Sequence, residues 1–264
     1  NVGVETYLRG VVPHEIGTSA QQSVLEAQAI LARTYALRNL RRFAIDNYQL
    51  CATTQCQVYW GLGGADPATD KAIAATRGLV LTYENELVDA VYSSTSGGVT
   101  AAFNDTWRGW DRPYLRGVID SVNPLWNLQQ RPLSDEKNFR AFINQRKGFN
   151  EDNTPMFRWR YANTLTHLNN ELRSYLKSVK TIQNIQILQR SASGRILKTA
   201  VVTDAGTIEF EKDDILKAFY SPASTLFYVE PLVEKNRTLR GFAFVGGGFG
   251  HGVGLSQYGS YNLG

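Results

Sequence analysis

Apolar positions in the first part of the chain recur at helical spacing. From Ser19 to about Phe43 an Ala-, Leu-, Gln- and Arg-rich segment runs without glycine or proline. Val24, Ala27, Leu31, Tyr35 and Ala36 spread apolar side chains over much of its circumference, which predicts one long, well-buried helix. Ser19 and Gln22 stand at the spacing of a capping box, so the helix is expected to start at Ser19. Beyond it the period falls to two. The runs 78–83 and 86–93 are rich in β-formers and flank Glu84-Asn85, which reads as a hairpin. The second run delivers Ser93-Ser94-Thr95-Ser96-Gly97-Gly98, a loop that places hydroxyls and free amides at a sheet edge.

From Ser134 to Lys180 the helical period returns. Ser134 and the acids after it open a helix that stops at Gly148, and Leu165, Leu168, Leu172, Tyr175, Leu176 and Val179 trace a second stripe, with a polar connector over 146–160. These stripes are core packing. The runs 182–190, 195–203 and 207–211, joined by glycine-containing turns, predict a β-meander. A short helix over 212–220 and strands over 225–230 and 240–245 complete the pattern. Strands cluster instead of alternating with helices, so the expected class is α+β: a long buried helix packed on antiparallel sheets, with an α-helical insertion at about 133–180 in a single domain spanning 1–264.

The chain has 264 residues, of which 43% are hydrophobic, enough for a substantial core. Its formal charge of +4 comes from Lys and Arg scattered among acids, so nucleic acid is not an expected partner. No apolar run approaches the roughly 18 residues that span a bilayer. The chain opens at Asn1 directly into an element-like run and is read as a mature or trimmed fragment, whose missing leader says nothing of location. Cys51 and Cys56 are compatible with a short disulfide in an oxidising compartment. Zinc is the alternative, but no Cys or His lies close by in sequence to complete a ligand set, so no metal is expected.

No P-loop, Rossmann glycine pattern, His-Glu-x-x-His or Gly-x-Ser-x-Gly elbow is present, which removes the common phosphate-handling and hydrolase templates. The segment from Gly246 to Gly259 is dense in glycine around His251, as where backbone approaches a ligand or strand closely. Five blocks together resemble the SpoIID/LytB family: Val12-Pro-His-Glu15, Glu26-Ala-Gln-Ala-Ile-Leu-Ala-Arg-Thr-Tyr-Ala36, Thr53-Thr-Gln-Cys-Gln-Val-Tyr59, Tyr92-Ser-Ser-Thr-Ser-Gly-Gly98 and Gly250-His-Gly-Val-Gly-Leu-Ser-Gln-Tyr-Gly259. They span nearly the whole chain in the family's order.

That resemblance implies a lytic transglycosylase that cuts between N-acetylmuramic acid and N-acetylglucosamine in peptidoglycan and leaves a 1,6-anhydro end. It places the catalytic acid at Glu15. One carboxyl would serve twice, protonating the leaving oxygen and taking the proton of the muramoyl C6 hydroxyl, and burial would suit it to the first step. Hydrolytic glycosidases commonly add a second carboxylate; apart from Glu26, the blocks hold none. Arg33, Gln57, Tyr92, Ser94, Thr95, Ser96, His251 and Gln257 are the expected substrate-binding residues, with Arg33 and Tyr35 also read as buttresses. Trp60, Trp107 and Trp110 are candidate stacking faces for sugars. Two departures from the family pattern stand out: His14 beside Glu15, where a small or polar residue is expected, and Gln55 between the cysteines, where a histidine would favour zinc. The expected partner is the glycan strand and the expected location extracytoplasmic, with membrane attachment through a segment outside this chain as an option. The alternatives are a non-catalytic wall-binding protein that stimulates a peptidoglycan amidase, and a muramidase that hydrolyses the same bond.

Overall fold

The change of hydrophobic period along the chain is reproduced in a computed structural model, which describes residues 2–264. The chain folds into two compact units: Asn1–Tyr92 with Ser260–Gly264, and Ser93–Gly259. The architecture is α+β.

The first unit is built on four helices: α1 (Val4–Arg9), α2 (Val12–Ile16), α3 (Gln22–Arg38) and α4 (Pro67–Ala75). The long helix forms, but one turn later than the Ser19 box predicts. Gly17, at φ +77°, ends α2, and Thr18 to Ala20 bend before α3 begins with Gln21 as its N-cap and no side-chain cap. The intended partner of Ser19 is used elsewhere: Gln22 Nε2 donates to Glu26 Oε1 at 2.9 Å. At the other end Asn39 Nδ2 donates back to the Tyr35 carbonyl at 2.8 Å, and the helix stops at Arg38, short of Phe43. Val24, Tyr35 and Ala36 are buried as expected, but the other two predicted positions are not. Leu25, Ala29 and Ala32 lie in the core with Leu8, Val11, Val12, Ile16, Ala72 and Ile73, while Ala27 and Leu31 are half-buried. The small side chains of Ala29 and Ala32 let neighbouring helices approach closely, a gain in packing that a count of large apolar residues overlooks. Helix α4 starts as its sequence dictates: Asp66 accepts the Ala68 amide at 2.8 Å and Pro67 supplies a φ suited to the first turn.

The predicted hairpin is present in a shorter form, β1 (Thr82–Tyr83) and β2 (Glu86–Leu87). Glu84 and Asn85 both take positive φ, +50° and +65°, the backbone a two-residue turn needs to match strand twist. The chain leaves the unit through β3 (Tyr92–Ser93).

In the second unit α5 (Phe103–Thr106) and α6 (Glu136–Asn144) precede β4 (Trp159–Thr164) and α7 (Leu165–Leu172). Asp135, not Ser134, caps α6, accepting the Asn138 amide at 2.9 Å. The stretch read as a helical insertion therefore also holds a strand. Along β4 burial alternates, with Trp159 inside and Arg160 outside; its polar outward residues made its start resemble connector. The meander is found as expected in β5 (Ile182–Arg190), β6 (Ile196–Thr203) and β7 (Gly206–Glu211), all antiparallel. After α8 (Asp214–Ala218), β8 (Phe227–Val233) and β9 (Leu239–Gly246) join β4 in the order β4-β9-β8. Both sheets and α7 feed one core containing Trp159, Leu168, Ile185, Phe210, Phe227 and Phe244. The short strand β10 (Leu255–Ser256) leads into α9 (Gln257–Tyr261).

Candidate functional site

Four of the predicted site residues, Glu15, Arg33, Gln57 and Tyr92, lie in the first unit, and five, Ser94, Thr95, Ser96, His251 and Gln257, in the second. Helix α2 presents Glu15 by elimination. Val12, Pro13 and Ile16 face the core, which leaves His14 and Glu15 on the more open side. The Glu15 carboxyl is then fixed by the loop after α3: the Val58 amide donates to Oε1 at 2.6 Å.

Tyr92 also hydrogen-bonds to Glu15. Behind this pair Gln57 is fully buried. Its Oε1 accepts from the Tyr7 hydroxyl, and its Nε2 donates to the Tyr92 hydroxyl and to the Ala32 carbonyl, each at 3.2 Å. Gln57 thus spends its amide on Tyr7, Tyr92 and the Ala32 carbonyl and is buried, where a ligand contact was expected. Burial, with the neighbouring Glu15 charge next, pushes the hydroxyl pKa of Tyr7 and of Tyr92 well above the ordinary tyrosine value. Tyr35 is raised as well, chiefly by burial. The phenols beside Glu15 therefore remain neutral donors.

The supporting loop is tied down on both sides. Cys51 and Cys56 form a disulfide. Arg42 Nη1 donates to the Gln55 carbonyl at 3.2 Å and to the Tyr35 hydroxyl at 2.8 Å, and Tyr59 stacks on Tyr7 with centroids 5.1 Å apart.

Arg33 does not join this group. It is 1% exposed, and its guanidinium is consumed by Glu5 in a two-pronged pair at 2.9 and 2.8 Å, by Thr76, and by the carbonyls of Leu79 and Ile73. Burial would raise the Glu5 carboxyl, but the hydrogen bonds and charge of Arg33 outweigh it and hold the pKa low. Arg33 is a strut between α1, α3 and the segment after α4, and the expectation of a sugar contact is corrected accordingly.

In the second unit the hydroxyl-rich loop is held from beneath. Thr95 and Ser96 are fully buried, whereas Ser94 is half-buried. Glu151, itself 0% exposed, accepts from Ser96 N at 3.0 Å, Ser96 Oγ at 2.7 Å, Gly98 N at 2.6 Å and Ser256 Oγ at 2.9 Å. Asp120 accepts from Ser96 Oγ at 3.1 Å and Asn150 Nδ2 at 2.7 Å; burial and then the Glu151 charge raise its pKa. Ser96 is thus spent on internal acids, and Thr95 pairs its backbone with Phe249. Neither offers its side chain to a substrate as expected.

The opposing charge is Arg195. Fully buried, it donates Nη2 to the carbonyls of Ser96 and Val99, at 2.6 and 3.2 Å, and burial lowers its pKa to about 10. A Cβ on Gly252 would lie 2.1 Å from this guanidinium, and φ there is +72°, so the glycine next to His251 is required on both counts. The Val253 amide donates to His251 Nδ1 at 3.0 Å, which puts the ring proton of the neutral form on Nε2. Its ring packs on Trp107 at 4.8 Å. Gln257 is half-buried at the start of α9.

Sequence reasoning missed Tyr7 and Val58 around Glu15, and Asp120, Glu151 and Arg195 beneath the loop. Val58 contributes only its amide, so its side chain carries no signal. Glu151 stands in a polar stretch indistinguishable from solvated connector.

Comparisons with known proteins add a lineage. The family described as Stage II sporulation protein matches residues 1–83, and that described as Domain of unknown function (DUF8618) matches residues 101–254. A Bacillus subtilis protein named Amidase enhancer is 28% identical across 96% of this chain, which covers 37% of that protein. An uncharacterized protein of Brachyspira hyodysenteriae is 27% identical across 99% of the chain, which covers 61% of it. The chain thus spans less than two thirds of the length of these two relatives. Stage II sporulation protein D of Bacillus subtilis is 24% identical across 98% of the chain, which covers 68% of that relative. The chain belongs to the SpoIID family and, through residues 101–254, to the family described as Domain of unknown function (DUF8618).

Proposed function

We propose that this chain is a peptidoglycan lytic transglycosylase that cleaves the bond between N-acetylmuramic acid and N-acetylglucosamine, with Glu15 as the only acid and base. The observation that carries the reading is the Glu15 carboxyl itself, half-buried and aimed by the Val58 amide and the Tyr92 hydroxyl. Protonated, it gives its proton to the glycosidic oxygen as the C1–O bond breaks. Ionised, it takes the proton of the muramoyl C6 hydroxyl as O6 closes on C1, and no water is consumed. The scheme needs a carboxyl held in one place through both steps, which fixed donors provide at no reorganisation cost.

Several other acids of the unit are engaged elsewhere: Glu5, Asp70 and Asp89 are each paired with an arginine, Asp66 caps α4, and Glu26 accepts from Gln22. This favours transglycosylation over a hydrolytic muramidase that holds water on a second carboxylate. The disulfide suits an oxidising compartment, and among the described residues no helix is long and apolar enough to cross a membrane. The reading is therefore extracytoplasmic, at the cell wall.

Soluble products from intact and peptide-stripped glycan strands, treated with wild type and Glu15→Gln, test it by mass spectrometry. Anhydro-ended fragments from wild type alone are expected; reducing ends would make the protein a hydrolase. The name of the Bacillus subtilis relative favours a second reading, a non-catalytic protein that stimulates a peptidoglycan amidase, for which neither substrate would yield products.

A further inference from the structure

The loop that fixes Glu15 also carries an indole that no core absorbs. Trp60 is 74% exposed, yet its ring is not loose. It packs against the His14 imidazole with centroids 4.9 Å apart, and His14 immediately precedes Glu15 on α2. The His14 ring is in turn pressed onto backbone: a Cβ on Gly64 would lie 2.3 Å from its Cε1. On the other flank Tyr59 lies over Gly10, where a Cβ would come within 2.5 Å of the Tyr59 ring. Two close approaches to α1 and α2, each dependent on a glycine, thus hold the segment Tyr59–Gly64 and brace the indole from behind.

A large apolar side chain held rigidly but left uncovered forgoes the gain of burial and keeps little rotamer freedom to lose on binding. Such a surface suits a ligand with a flat apolar face rimmed by polar groups, since the indole pairs an extended ring with a polar edge. A pyranose ring, with axial C–H bonds on its face and hydroxyl and acetamido groups at its rim, has that shape. A polymer cut at Glu15 must continue beyond the scissile bond, and Trp60 packs on His14, the residue before Glu15 on α2.

We infer that Trp60, braced by His14, is a saccharide-stacking subsite that binds a sugar ring of the glycan strand next to the ring cleaved at Glu15. The inference rests on the proposed glycan-cleaving function for its choice of ligand.

The test is equilibrium binding of peptide-stripped glycan strands to the full chain carrying Glu15→Gln, alone and combined with Trp60→Ala or Trp60→Phe. Trp60→Ala is expected to weaken binding roughly five- to tenfold and Trp60→Phe to retain most of it. In the otherwise wild-type chain Trp60→Ala should raise KM while leaving kcat nearly unchanged. Equal affinity of the Glu15→Gln protein with and without Trp60, or no strand binding by Glu15→Gln at all, overturns the subsite and points instead to a protein partner for the indole. The two proposals fail separately: Trp60-dependent binding without any anhydro product from wild type would remove the lyase and leave the subsite.

Discussion

The Tyr92 hydroxyl lies between Gln57 and Glu15, accepting from the Gln57 amide at 3.2 Å and hydrogen-bonded to the Glu15 carboxyl. A buried amide thereby dictates where the hydroxyl points, and the hydroxyl helps dictate where the carboxyl points. Orientation passes from the core around Ala32 to the Glu15 carboxyl through one phenol.

Replacing Tyr92 by Phe removes that phenolic link while keeping the ring. Cleavage of glycan strands should slow roughly tenfold to a hundredfold through misplacement of the carboxyl, with strand affinity little changed. Because the Gln57 amide loses one of its acceptors, stability should also drop by about 1–2 kcal/mol. Turnover measured beside urea denaturation checks both, and an unaltered kcat would refute the positioning role.

Arg33→Met separates a strut from a sugar contact. The substitution keeps much of the aliphatic stem but leaves Glu5 and two backbone carbonyls without their donor. Loss of a buried partner of this kind costs about 3 kcal/mol, toward the lower end of the usual range because Glu5 retains 24% side-chain exposure. Denaturation midpoints should fall accordingly, while the fraction still folded binds glycan strands like the parent. A stable variant with weakened binding would restore Arg33 to the substrate site.

Asp120 gives a pH signature to the second unit. Burial and the Glu151 charge raise its pKa in the folded chain above the ordinary 3.8, so the folded state holds its proton more tightly than the unfolded state. Its contribution to stability is fully present below pH 3.8 and is lost as pH rises through the raised value. Asp120→Asn should flatten that part of the stability profile. Urea unfolding of both proteins at several pH values between 4 and 7 measures it, and identical slopes would contradict the assignment.

Local rules set much of this molecule. Apolar periodicity located α3 and the meander of β5, β6 and β7, because burial of one face leaves a direct imprint on residue order. The two-residue turn at Glu84-Asn85 was legible for the same reason: its chemistry is contained in its own residues. The boundary of α3 was not legible, since a side-chain cap at Ser19 competes with the bend that follows Gly17 and the bend prevails. The start of β4 was hidden because its outward positions are polar.

Residue order alone was enough for the α+β class and the family blocks, and it singled out Glu15, Gln57 and Tyr92, which the fold links by hydrogen bonds. Which of the block residues face inward emerged only with the packed fold. Arg33, Thr95 and Ser96 looked like ligand contacts because they are polar and stand in the right segments, but burial turns each of them inward, Arg33 onto Glu5 and Ser96 onto Glu151. The Val58 amide on Glu15 and the Arg195 guanidinium beneath Gly252 had no local signature. A backbone donor is identical at every non-proline residue, and a buried charge is placed by partners dozens of residues away, so both acquire a role only when the chain has closed around them.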